Sequence, residues 1–283
     1  MKLGLIGLVS AALLTAGAGS ASAYTIYGNS ASFGNNPIHF IDSTTGVEQK
    51  RYTGQPSGNG RGVVTVGNVL YYTVTNDAHI YKIDANTGAP LGSILTQNAS
   101  MSTIAWDGTA FWTADYSGTN KAFRIDPNTG LNIQTINLAN AQNFMDGLEY
   151  FNGKLIGNRC DACGVYDIYD LSGNVLTAGF INVAGGVGTG IAYDGTNFLV
   201  SNLYNPSIGV YDGVTGLLLN TINLTGAFGS FLIEDLSVDY EAREDTCTTC
   251  EPPSEVPEPF TLSLFGAGLV GAAMSRRRKK KST

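Results

Sequence analysis

Apolar and polar residues alternate along this chain in short runs, broken every few positions by Gly, Asn or Asp. Ile191-Ala192-Tyr193, the turn Asp194-Gly195-Thr196 and Phe198-Leu199-Val200-Ser201 predict strand, turn, strand. Ile208-Gly209-Val210-Tyr211, a second turn and Leu217 to Ile222 predict two strands more, and helical spacing is missing. The pattern recurs. Ile41-Asp42-Ser43-Thr44-Thr45-Gly46, Ile83-Asp84-Ala85-Asn86-Thr87-Gly88, Ile125-Asp126-Pro127-Asn128-Thr129-Gly130, Tyr169-Asp170-Leu171-Ser172-Gly173 and Tyr211-Asp212-Gly213-Val214-Thr215-Gly216 share one ending. Their aspartates stand 42, 42, 44 and 42 residues apart, a period that marks a repeat architecture. Four strands of typical length use roughly 22 positions of such a unit and leave about 20 for connections, which is one propeller blade.

The ends of the repeat region predict closure. Ile26-Tyr27-Gly28-Asn29 matches the second strand Leu155-Ile156-Gly157-Asn158, so the region starts inside a blade that lacks its first strand. Leu236-Ser237-Val238-Asp239 matches the first strands Ile104-Ala105-Trp106-Asp107 and Ile191-Ala192-Tyr193-Asp194 and supplies the missing one, hiding both sheet edges. The expectation is all-β: a single five-bladed β-propeller closed by its N- and C-terminal strands, with a six-bladed or open arrangement as the alternative. The first strands and the Ile-Asp-x-x-Thr-Gly turn resemble propeller repeats of bacterial extracytoplasmic proteins. That resemblance covers residues 24–243 and speaks to fold. The turn aspartates read as caps of their own backbone, and the glycines as positive-φ positions. Calcium loops would need further carboxylates close by.

The two chain ends predict export. Met1-Lys2, the apolar Leu3 to Leu14 and the small residues Ala21-Ser22-Ala23 have the order of a signal peptide over 1–23. At the other end stand Val256-Pro257-Glu258-Pro259, an uncharged run from Phe260 to Ser275, and Arg276-Arg277-Arg278-Lys279-Lys280-Lys281. As a helix, 260–275 would nearly cross a bilayer, and the cations would stay cytoplasmic. This order resembles the PEP-CTERM sorting tail over 256–281. The resemblance implies an exosortase-type membrane protease as partner, a transient membrane anchor, and a cell-surface or extracellular destination. Residues 244–259, acidic and rich in proline, read as a solvated stalk.

Charge narrows the partners. Seven of the 16 Lys and Arg lie in Lys2 and 276–281, leaving nine against 23 Asp and Glu, a balance of −14 over residues 3–275. Such a surface excludes nucleic acid as a partner. Four cysteines form two pairs, Cys160 with Cys163 and Cys247 with Cys250. Two local disulfides suit an exported chain; a shared zinc would have to bridge opposite faces of the ring, and redox chemistry lacks a βαβ setting. No cofactor or resident metal is expected.

The residues just before each first strand converge on the channel mouth. They are Arg61, Ser102, Asp146, Thr189 and Glu234, with Asp235 adjacent. They form either a solvated rim or, through Arg61, Asp146 and Glu234, a site for a polar ligand such as a sugar. Glu149, where other repeats have Ala105, Ala192, Val64 and Ser237, is either a channel-lining acid or a partner for Arg61. His39 and His79, the two histidines, fall on third strands and read as partly exposed, away from the channel. Two classes of function remain: a non-enzymatic surface or matrix module that binds polysaccharide or protein, and a lyase or hydrolase using acids at the mouth. Sparse histidine and the lack of a nucleophile motif favour the first.

Overall fold

The computed structural model describes residues 23–242, apart from 32–35, 55, 57, 143, 161–162 and 226–231. The chain divides into two units, Met1–Arg243 and Glu244–Thr283. The second, with the stalk, Cys247, Cys250 and the predicted membrane helix, lies outside the described residues, as do residues 1–22 of the predicted signal peptide 1–23. Among the described residues no helix is long and apolar enough to cross a membrane.

The first blade holds β1 (Thr25–Ser30), β2 (Pro37–Asp42) and β3 (Glu48–Thr53), and takes its innermost strand, β20 (Ile233–Ser237), from the far end of the repeat region. Blade 2 is β4 (Gly60–Val66), β5 (Val69–Val74), β6 (His79–Asp84) and β7 (Pro90–Leu95). Blade 3 is β8 (Ala105–Trp106), β9 (Phe111–Ala114), β10 (Lys121–Ile125) and β11 (Asn132–Asn137). Blade 4 is β12 (Leu148–Phe151), β13 (Lys154–Asn158), β14 (Val165–Tyr169) and β15 (Val175–Asn182). Blade 5 is β16 (Ile191–Tyr193), β17 (Asn197–Ser201), β18 (Ser207–Asp212) and β19 (Leu218–Asn223). Every blade is an antiparallel four-stranded sheet, and the closing strand is the one the repeat predicts, pairing Tyr27↔Ser237, Gly28↔Leu236 and Asn29↔Asp235.

Five separate apolar clusters fill the five gaps between neighbouring blades. Ile38, Phe40, Val63, Leu70 and Tyr72 join blades 1 and 2, and Val64, Ile80, Met101, Ile104 and Phe111 join 2 and 3. Trp112, Ile136, Leu148 and Tyr169 join 3 and 4, while Ile156, Ile168, Ile191 and Phe198 join 4 and 5. Ile26, Ile41, Ala192, Leu199, Ile208 and Leu236 join blade 5 back to blade 1. Each large side chain buried there contributes about 1.5–3 kcal/mol relative to exposure. The innermost strands are covered on both faces and buried almost throughout, whereas the outermost strands β7, β11 and β19 each keep a single buried residue. Residues 24–242 thus contain all the described strands and cores and close their own ring.

The repeated turn does two jobs. In the first, the Asp42 carboxylate accepts from the Thr44 and Thr45 backbone N–H groups and the Thr45 hydroxyl at 3.0, 2.8 and 2.9 Å, and Asp84, Asp126 and Asp212 repeat the arrangement. The Thr45 N–H holds the Asp42 carboxyl below the usual carboxylate range. The second job belongs to glycine. At Gly216, with φ 69, a β-carbon would stand 1.9 Å from the Phe180 carbonyl oxygen on the end of β15, so the turn also seats the neighbouring blade.

Candidate functional site

The innermost strands β20, β4, β8, β12 and β16 lie against one another in ring order. All five residues of the predicted mouth are buried there, which overturns the solvated rim. Closure at this level is tight enough that the side chains bond across the ring instead of meeting water.

Arg61 is the centre of the arrangement. Its Nη1 bonds Glu234 of blade 1 and stands 3.5 Å from Asp146 of blade 4. Its Nε donates to the Thr75 hydroxyl at 2.8 Å, and its guanidinium lies 4.3 Å from the ring centroid of Tyr116 in blade 3. Burial disfavours the charge, but the Glu234 and Asp146 carboxylates outweigh it and hold the guanidinium pKa above its ordinary value. One cation therefore ties together four blades. The position of Asp146 is set by its own blade, because Asn158 Oδ1 accepts from the Asp146 and Gly147 N–H groups, each at 3.1 Å. Ser102 and Thr189 complete the level, with the Thr189 hydroxyl 2.9 Å from that of Ser201.

One residue further along, Asp235 is wholly buried and bonds across to two other blades. Its Oδ2 accepts from the Val63 N–H of blade 2 at 3.1 Å and from the Thr103 hydroxyl of blade 3 at 2.9 Å. Burial pushes its pKa well above the carboxylate range, against the pull of these donors. Glu149 sits three residues beyond Asp146 and accepts from the Tyr193 N–H at 3.3 Å and from the Tyr240 hydroxyl, which reaches it from the blade 1 side. It is buried, and these bonds join β12 of blade 4 to Tyr193 of blade 5 and to Tyr240 beyond β20.

The histidines depart from their predicted setting in one case. His79 is half-buried, its Nδ1 2.7 Å from Asp77. His39, expected to be partly exposed, is wholly buried, because the blade stacks on both sides of its sheet. His39 Nε2 lies 2.6 Å from Ser30 Oγ and Nδ1 2.7 Å from Glu48 Oε1, and Arg51 donates to both Glu48 oxygens. With Glu48 ionised, Nδ1–H donates to the carboxylate and Nε2 accepts from the serine hydroxyl. The order of groups is that of a Ser-His-acid triad. Ser30 and His39 are both fully buried, however, and the chain of bonds links β1, β2 and β3 within the closing blade. The sequence signal for it was an equal spacing of nine, 30 to 39 to 48, across three successive strands.

Burial lowers the His39 pKa to about 4, although the Glu48 bond works the other way. The unfolded chain then binds the proton at about 6.5 and the folded one at about 4, so the unfolded state holds more protons between these values and stability rises with pH there. Wild-type protein should lose about 3 kcal/mol as pH falls through that window. Urea midpoints measured at half-unit steps check this. His39→Gln should be nearly flat from pH 6.5 to 4.5, and an unchanged slope in that variant would remove His39 as the cause.

Cys160 and Cys163 form a disulfide with Cα atoms 5.5 Å apart, in the loop between β13 and β14. Tyr116, Thr75, Thr103 and Tyr240 were not singled out from sequence, because nothing local marks a residue whose partner lies on another strand far along the chain.

The profile described as the PEP-CTERM protein-sorting motif matches residues 255–279. The chain thus carries that sorting motif behind a five-bladed propeller. The motif implies an exported protein, held transiently in the membrane at its C-terminus and processed by exosortase, a membrane protease. No curated protein matches the sequence. Among solved structures, a chain of the nidogen/laminin complex aligns over 77% of this chain and 98% of its own length at 13% identity with a TM-score of 0.52, a likeness of fold. Hydrazine synthase of Kuenenia stuttgartiensis, covering 58% of this chain and 48% of its own, gives 13% identity and a TM-score of 0.42. Glutaminyl cyclase of Myxococcus xanthus, covering 69% and 76%, gives 12% and 0.46, and neither of these two bears on function.

Proposed function

We propose that the protein is a cell-surface or extracellular-matrix component whose propeller is a non-enzymatic binding or structural module, with polysaccharide or protein as its ligand. The observation that carries this reading is the state of the mouth: Arg61, Asp146, Glu234 and Asp235 are buried and committed to bonds between blades. Groups held this way support rigidity. What the mouth offers to a ligand is aromatic. Phe144, two residues before Asp146, is 44% exposed and packs edge-on against Tyr116 at 5.3 Å, directly beside Arg61. Phe144 also has φ 65, a left-handed backbone that costs a bulky residue energy and is retained where the display of the side chain matters. An aromatic ring beside a polar cluster suits the apolar face and hydroxyls of a sugar.

Purified ectodomain incubated with a glycan panel, with and without divalent metals, tests the proposal. Binding without release of new reducing ends is expected, weakened at least tenfold by Phe144→Ala; metal-dependent turnover would refute it. The alternative, an extracytoplasmic hydrolase, has the Ser30–His39–Glu48 chain of bonds in its favour. It requires a serine that solvent reaches, so labelling of Ser30 by a fluorophosphonate probe would support it.

A further inference from the structure

Buried polar atoms of a folded chain are almost always paired, so those that are not point to something outside the chain. Three of them gather at the seam between blades 1 and 2. Among the described residues, the Oδ1 atoms of Asn29 near the end of β1, of Asn36 just before β2 and of Asn59 just before β4 are buried and accept no hydrogen bond from the protein. Asn29 and Asn36 are wholly buried as residues.

The orientation of Asn29 is fixed by its donors. Its Nδ2 donates to the Gly62 carbonyl at 3.1 Å and to the Thr73 carbonyl at 3.3 Å, both in blade 2, and turning the amide over would set oxygen against oxygen. Asn158, the counterpart of Asn29 in blade 4, uses its oxygen instead, accepting from the Asp146 and Gly147 N–H groups. Gly60 locates the orphaned oxygens. A β-carbon there would stand 2.1 Å from Asn29 Oδ1, 2.5 Å from Asn36 Oδ1 and 2.5 Å from the Ser30 carbonyl oxygen. The three oxygens therefore lie within about 5 Å of one another, the spread of ligands that share one hard cation at about 2.3–2.6 Å each. The φ of Gly60 is not left-handed, so glycine serves here for room and not for backbone conformation. Asn59 directly precedes Gly60 and brings its own orphaned oxygen to the same corner.

We propose that Asn29 and Asn36, with the Ser30 carbonyl and Asn59, bind a monovalent alkali cation that clamps blade 1 to blade 2. A water molecule has two protons to give, fewer than the oxygens gathered here, whereas a cation is held by all of them. The ligands decide its charge. All are neutral amide or carbonyl oxygens, and among the described residues no three His, Cys, Asp or Glu gather to hold a metal. Neutral oxygens can replace the hydration shell of a singly charged ion, while a buried divalent ion would lack the carboxylates that balance it. Arg61, the residue after Gly60, does not oppose the ion, because Glu234 and Asp146 together carry more charge than its guanidinium.

The test compares urea midpoints of residues 24–242, a unit that closes its own ring, in sodium or potassium chloride and in tetramethylammonium chloride at equal ionic strength. Tetramethylammonium is too large for the corner. At least one alkali ion is expected to raise the midpoint, with the folding constant approaching a tenfold gain for each tenfold rise in that ion above its half-filling concentration. Asn36→Gly removes the amide but allows the left-handed backbone that Asn36 adopts at φ 38, so it should fold and give one midpoint in all three salts. Equal wild-type midpoints in the three salts would overturn the proposal and leave the corner to water. A salt difference that survives intact in Asn36→Gly would overturn it as well, since the ion would then sit elsewhere.

Discussion

Gly190→Ala is expected to cost about 4 kcal/mol or more, enough to unfold much of the ectodomain at room temperature if its total stability is that of an ordinary domain. A β-carbon at Gly190 would stand 2.3 Å from the Asp235 Cα and 2.7 Å from the Glu234 carbonyl oxygen. Both are backbone, in the innermost strand of the next blade, and a rotamer change cannot relieve them. Gly147 is in the same position against the Thr189 carbonyl oxygen, at 2.1 Å, so it should behave alike. The ring has no slack at this level because it is closed: moving β20 outward to admit a methyl would break the Asp235 bonds to blades 2 and 3 and strain the β20–β1 pairing. Gly153→Ala is the control. Unlike Gly190 and Gly147 it has positive φ, at 73, but nothing stands within 4 Å of the added carbon, so only the left-handed conformation is charged for, about 1–2 kcal/mol. Chemical denaturation of the three variants decides the matter, and similar losses at Gly190 and Gly153 would show that interblade approach is not the constraint.

The same geometry explains what could and could not be read from the residues. Fold was legible because each blade repeats one local problem, a strand pattern and an Asp-capped turn, and because Leu236 to Asp239 kept the signature of a first strand although it lies at the wrong end of the region. Interblade contacts carry no such local mark. Arg61, Asp146 and Glu234 could be brought to one place by aligning repeats, but their burial follows from how close five strands approach, which is written in Gly62, Gly147 and Gly190 one position further on. His39 shows the same limit. Its third-strand position was readable, whereas its burial depends on both neighbouring sheets.

Replacing Arg61 by Met should destabilise the ectodomain by about 3–5 kcal/mol, the usual loss when one partner of a buried ion pair is removed. Methionine keeps much of the apolar volume, so the loss isolates charge: Asp146 and Glu234 would face each other across the mouth, with Asp235 one residue away, and no guanidinium between them. Lysine should recover little of this, because a point charge can neither lie flat on Tyr116 nor donate through Nε to Thr75 while reaching Glu234. The decisive comparison is the triple variant Arg61→Met, Asp146→Asn, Glu234→Gln, in which the lone carboxylates are neutral and nearly isosteric. If buried charge is what Arg61 balances, the triple variant should regain most of the stability lost by Arg61→Met, read as a return of the urea midpoint at unchanged slope. A triple variant as unstable as the single would instead assign the role of Arg61 to its packing under Tyr116, and the mouth would then be a stack of side chains that happen to be charged.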